Sequence, residues 1–129
     1  MARATRGPDG KPIRSFRDRS SWAAWLEKNH AASPGVWLRL AKKSSNLKSV
    51  SYDDAVEVAL CYGWIDGQAK GEDENHRLQK FTPRAKRSNW SKRNRVKALA
   101  LIESGLMKPA GLREIERAKQ DGRWGVTND

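Results

Sequence analysis

Between Arg77 and Ile102 the sequence carries nine basic residues and no acid, with Phe81 and Trp90 set among them. Arg84, Lys86, Arg87, Lys92, Arg93, Arg95 and Lys97 are the candidate binding residues of this stretch. Guanidinium groups fork onto phosphate or carboxylate oxygens, and ammonium groups neutralise them as point charges. An exposed Trp90 would add a face on which a base can stack, so the composition suits single-stranded or looped nucleic acid, or another polyanion. The competing reading is a solvated basic helix face with its aromatics turned into the core. A second dense stretch, Gly63-Trp64-Ile65-Asp66-Gly67-Gln68, frames one carboxylate between large apolar groups and two glycines that allow close backbone approach. Asp66 is there either to accept backbone hydrogen bonds or pair with an arginine such as Arg84, or to serve as a buried acid, base or ligand-orienting group in a Trp-lined pocket.

Other chemistry is sparse. The chain has no Gly-rich phosphate loop, nucleophile elbow or His/Glu metal pair at working spacing. We therefore assign no catalytic residue, no metal and no cofactor. His30 at a helix end, His76 at a strand start and Cys61 between Leu60 and Tyr62 read as structural. One cysteine cannot form an internal disulfide, which fits a reducing cytoplasm. The longest unbroken apolar run, Ala98 to Ile102, is far too short to span a bilayer, and no apolar segment follows the basic N-terminus as in a signal peptide. Neither membrane insertion nor export is expected.

These residues must be held by a small scaffold. With 129 residues, 37% of them apolar and 32% charged, the chain is sized for one domain with one core, and its net charge of +11 favours anionic partners. Residues 1–15 combine Gly7, Pro8, Gly10 and Pro12 with basic side chains and little to bury, so they read as a flexible basic arm before a single domain over 16–129. Asp18, Ser20 or Ser21 caps a helix over about 20–31 that carries Trp22, Trp25 and Leu26. Val36, Leu38 and Leu40 alternate with Trp37, Arg39 and Ala41 as in a half-buried strand. Ser51, followed by Asp53 and Asp54, opens a helix that ends at Gly63. Residues 64–69 and 76–82 read as a hairpin around a polar loop. A helix from Ser88 or Asn89 shows Val96, Leu99, Ile102 and Leu106 as one stripe, and a second runs over about 110–121 with Trp124 covering the pair. The sum is an α+β fold: a small antiparallel sheet packed with helices and a C-terminal helical pair.

Several groups of residues carry a family resemblance. Ala59-Leu60-Cys61-Tyr62-Gly63-Trp64-Ile65-Asp66-Gly67, Phe81-Thr82-Pro83-Arg84, Ser88, Trp90-Ser91, Asn94, Gly105-Leu106-Met107, Pro109-Ala110-Gly111 and Gly122-Arg123-Trp124 occur in an order that resembles the YdeI/OmpD-associated, or bacteriocin-protection, family. The resemblance runs from about Trp22 to Trp124. It implies a bacterial accessory protein linked to tolerance of bacteriocins or cationic antimicrobial peptides and to envelope stress, acting by binding a partner, and associated in name with an outer-membrane porin. It implies no catalytic reaction and no agreed catalytic residues. It also implies kinship with frataxin-like and YjbR-type small α+β proteins, although this chain lacks the acidic run with which frataxins hold iron. A chain of charge +11 would repel a cationic peptide, so an anionic partner is the expectation, with a nucleic-acid module as the alternative and a small enzyme built on Asp66 as the third reading.

Overall fold

A computed structural model describes residues 5–125. It is α+β: a four-stranded mixed sheet with four helices, two of them at the C-terminal end. The elements run β1 (Ile13–Arg14), α1 (Arg19–Asn29), β2 (Val36–Ala41), α2 (Tyr52–Cys61), β3 (Trp64–Gly71), β4 (His76–Pro83), α3 (Lys92–Glu103) and α4 (Pro109–Gln120). The sheet order is β1-β2-β4-β3. The β2/β4 and β3/β4 pairs are antiparallel, as expected, whereas β1 joins β2 in parallel and makes the sheet mixed.

The helix starts follow side-chain chemistry. Asp18 caps α1 by accepting from the Ser21 backbone N–H, and Ser21 returns a contact to the Asp18 backbone, a reciprocal capping box. Ser51 caps α2 through the Asp54 N–H, and Asp53 and Asp54 place negative charge at the positive end of that helix. Ser91 caps α3 through the Asn94 N–H, so α3 begins later than Ser88 or Asn89. Residues 84–91 instead form a loop that carries Trp90 inward, where Arg95 Nη1 donates to the Trp90 carbonyl at 2.8 Å.

One face of the sheet packs on α1 and α2. Trp22, Leu26, Val36, Leu38, Leu40, Trp64 and Phe81 are buried there, and Trp22 Nε1 donates to the Ala55 carbonyl at 3.1 Å. Trp22 and Trp25 stack at 5.7 Å between ring centres, and Phe81 lies 5.5 Å from Trp22. This aromatic cluster holds three of the six tryptophans, Trp22, Trp25 and Trp64.

Two expectations change elsewhere in the fold. The strand β2 is buried on both faces, because residues 5–14 of the expected flexible arm lie against it. Trp37 donates through Nε1 to Asp9 at 2.8 Å, the Trp37 backbone N–H donates to the Pro12 carbonyl at 2.9 Å, and Lys80 Nζ reaches Asp9 at 2.6 Å. Gly7 sits flush on the Trp37 ring, where any side chain would collide. Residues 1–4 of the arm and 126–129 of the expected domain lie outside the described residues.

The second change concerns α3. Ala98 and Leu101 are buried, and they lie on the side away from the expected stripe, leaving Val96 59%, Leu99 50%, Ile102 38% and Leu106 51% exposed. The small Ala98 suits close helix approach, so α3 packs through that face and turns its larger apolar residues to solvent. On α4 the contact with α2 is closer still. A Cβ placed on Gly111 would stand 2.5 Å from the Cys61 carbonyl oxygen and 2.7 Å from that of Leu60.

Candidate anion-binding cleft

The first turns of α2 and α3 and the start of β3 meet around a cleft of about 550 Å³. Tyr52 and Asp53 enter it from α2, Asp66 from β3, and Arg93, Asn94 and Lys97 from α3. Both helices begin here because Ser51 and Ser91 cap them, and a first turn projects its side chains beside the partly positive N-terminus. On the far side of Tyr52 a second cleft, of about 430 Å³, is lined by Lys42, Lys43 and Arg77. The Arg77 guanidinium lies 5.4 Å from the centre of the Tyr52 ring. Five cations thus border one phenol from two sides.

The floor of the first cleft is fixed by a hydrogen bond in which Tyr52 Oη donates to Asp66 Oδ2 at 2.5 Å. Burial, and then the hydrogen bond to Asp66, push the Tyr52 phenol up to about 12. It is therefore a held proton donor at neutral pH and a poor acid or base for turnover there. This geometry corrects the expectation for Asp66: its pocket is lined by Tyr52 and α3 side chains, not by tryptophans, and its partner is Tyr52, not Arg84.

Of the residues singled out by sequence, Asp66, Arg93 and Lys97 come together in this cleft. Lys86, Arg87 and Lys92 are exposed on the loop before α3 and at its first turn. Arg95 is half-buried and tied to Trp90 as described above. Arg84 and Trp90 are elsewhere: Arg84 is 7% exposed, Trp90 1%, and the guanidinium carbon lies 3.7 Å over the Trp90 ring. Trp124 covers the same ring at 5.1 Å. Trp90 therefore has no open face for a base to stack on. Burial pulls the Arg84 guanidinium down to about 10, with Glu114 opposing and Arg123 adding to the fall. Sequence reasoning missed Tyr52, Asn94, Lys42 and Lys43 as cleft residues, and the available signal was the capping serine immediately ahead of Tyr52.

One cluster elsewhere has ligand-type atoms within 4.8 Å of one another, namely Glu72, Asp73 and His76 in the β3/β4 hairpin. Both Glu72 carboxylate oxygens already accept from Arg39, at 2.6 and 2.8 Å, so the cluster reads as ion pairing. Cys61 is buried, as expected, and burial pushes its thiol up to about 11. Among the described residues no helix is long and apolar enough to cross a membrane.

A small α+β domain with a polar cleft between two helix starts, lined by Arg93 and Lys97 on one wall and Asp53 and Asp66 on the other, is the class that this fold and site define. Residues 14–114 match the family described as a domain of unknown function (DUF8412), and the chain belongs to that family. No curated protein and no solved structure matches it.

Proposed function

We propose that the protein acts by binding an anionic partner, through phosphate or carboxylate groups held in the cleft between α2 and α3, and that it does so in the cytoplasm without catalysis. The observation that carries this reading is the convergence of Arg93, Asn94 and Lys97 on an open cleft whose phenol stays protonated. Arg93 offers a planar fork, Lys97 a mobile charge, and Asn94 an amide, a set that suits a tetrahedral or planar oxyanion. Asp53 and Asp66 on the opposite wall favour a ligand that also carries hydroxyl or amine groups. The resemblance to the bacteriocin-protection family supports an accessory role in tolerance of cationic antimicrobial peptides or envelope stress as the setting. The nucleic-acid alternative keeps its electrostatic basis and loses its stacking platform, because Trp90 is buried.

Binding of inorganic polyphosphate across a salt series tests the proposal. The logarithm of affinity is expected to fall linearly with the logarithm of salt concentration, as counterions are released. Arg93→Gln with Lys97→Gln should flatten that slope and leave stability nearly unchanged, since charges that stay in contact with water at an open cleft contribute little to folding. Undetectable binding at low salt, or equal binding by the double variant, would overturn it.

A further inference from the structure

We infer that the outward face of α3 docks on an anionic lipid bilayer surface, with the cleft taking a lipid phosphate, an inference that rests on the anion-binding reading above. Val96 and Leu99, at 59% and 50% exposure, stand on the side of α3 opposite the buried Ala98 and Leu101, and Ile102 flanks them at 38%. Leu106, just past the end of the helix, is 51% exposed. A run of large apolar side chains turned to water on a helix already anchored by its other face is the pattern of an interfacial helix.

The charges beside that run identify the occupant. Arg93 is exposed and Lys97 half-buried along one flank of it, and both line the cleft. Lys86 and Arg87 are exposed on the loop that leads into α3. Glu103 is the only acid on the helix. A second copy of this chain would bring one such cationic flank against another on molecules of formal charge +11, which opposes self-association through this face. An anionic bilayer answers both demands, with headgroup phosphates for Arg93 and Lys97 and an apolar layer beneath them for Val96 and Leu99. Binding of this kind lies on the surface and needs no spanning segment.

Sedimentation of the full chain with phosphatidylcholine vesicles, with and without phosphatidylglycerol, tests the inference. The protein should sediment with the mixed vesicles and stay in solution with the neutral ones. Val96→Gln with Leu99→Gln should lower partitioning to the mixed vesicles by at least about tenfold while leaving polyphosphate binding unchanged, because loss of shallow apolar contacts spares the charges. Circular dichroism checks that this exposed double variant is folded. Equal binding to neutral and anionic vesicles, or unchanged binding by the variant, would overturn the inference. A vesicle-free dimer that this variant dissociates would also overturn it by making the face a self-contact. Failure of the parent protein to bind the mixed vesicles while it binds polyphosphate counts against the membrane inference alone, whereas its failure to bind either counts against the anion-binding reading.

Discussion

The guanidinium of Arg84 lies 3.7 Å over the ring of Trp90, and two of its nitrogens, Nε and Nη1, are buried with no hydrogen-bond partner among the described residues. Its remaining nitrogen reaches the Asn89 carbonyl at a long 3.4 Å. A stacked cation gains up to about 2 kcal/mol when desolvated, while each buried donor left unmet costs about 1–3 kcal/mol. With two donors unmet the cost at least matches the gain, so the packing of the buried Trp90, and not the Arg84 charge, holds the loop over 84–91 in place.

Trp90→Ala should therefore cost about 3–5 kcal/mol in urea denaturation, as loss of a buried aromatic does. Arg84→Met, which keeps length and removes the unmet donors, should stay within about 1 kcal/mol of the parent. A large loss in the methionine variant would mean that the charge itself holds the loop.

Gly111→Ala should destabilise the protein by about 1–3 kcal/mol, since the added methyl meets the Cys61 and Leu60 carbonyl oxygens, which cannot step aside as a side chain would. Thermal melting of the variant measures this. An unchanged midpoint would show that α4 can shift away from α2 at no cost.

Tyr52 and Tyr62, the two tyrosines of the chain, are both pushed up to about 12, by burial first and then by hydrogen bonds to Asp66 and Glu27. The unfolded chain ionises them near pH ~10. Their contribution to stability is thus complete below pH ~10 and is lost as pH rises from there toward about 12. Ultraviolet titration of the native protein should show no tyrosinate at pH ~10, and urea should restore it. A thiol reagent at pH ~8 should likewise leave Cys61 unmodified until the protein is unfolded.

Deletion of residues 1–10 should lower the melting temperature by several degrees, because Trp37 loses Asp9 and the cover of Gly7. Hydrogen bonds from Lys80 and then Trp37 hold the Asp9 carboxyl well below the usual carboxylate range. What Asp9 contributes is present above the ordinary carboxylate pKa of about 4 and fades as pH falls below it. Asp9→Asn should therefore remove part of the acid-side drop in stability. A deletion variant that melts like the parent would show that the arm contributes nothing.

Much of the scaffold was legible in local chemistry. The capping serine and paired aspartates announced α2, and the polar run between Gly71 and Asn75 announced the hairpin. The arm was not legible, since Gly7 and Asp9 find Trp37 and Lys80 only after the chain has folded back across the sheet. The stripe on α3 is legible as a stripe, and the side it faces is not. Periodicity shows that Val96, Leu99 and Ile102 share a face, and it cannot say whether the chain itself covers that face. Charge singled out Arg93 and Lys97, and Asp66 stood out between its glycines. Tyr52 escaped because an aromatic at the start of a helix looks like core until Asp66 arrives from another element.

The strand β1 is only two residues long, yet it sits against β2, whose sequence Val-Trp-Leu-Arg-Leu-Ala is almost wholly apolar. Past β1, the Ala41 N–H on the same strand is taken by the Ser49 hydroxyl at 2.9 Å. Uncovered, β2 would present a rim of unmet backbone groups with the composition that recruits further strands into fibrous aggregates. A nick in the arm by a protease would thus do more than loosen the fold. It would turn the sheet into a template, and shielding that rim from other molecules is a task this short strand performs for as long as the arm stays in place.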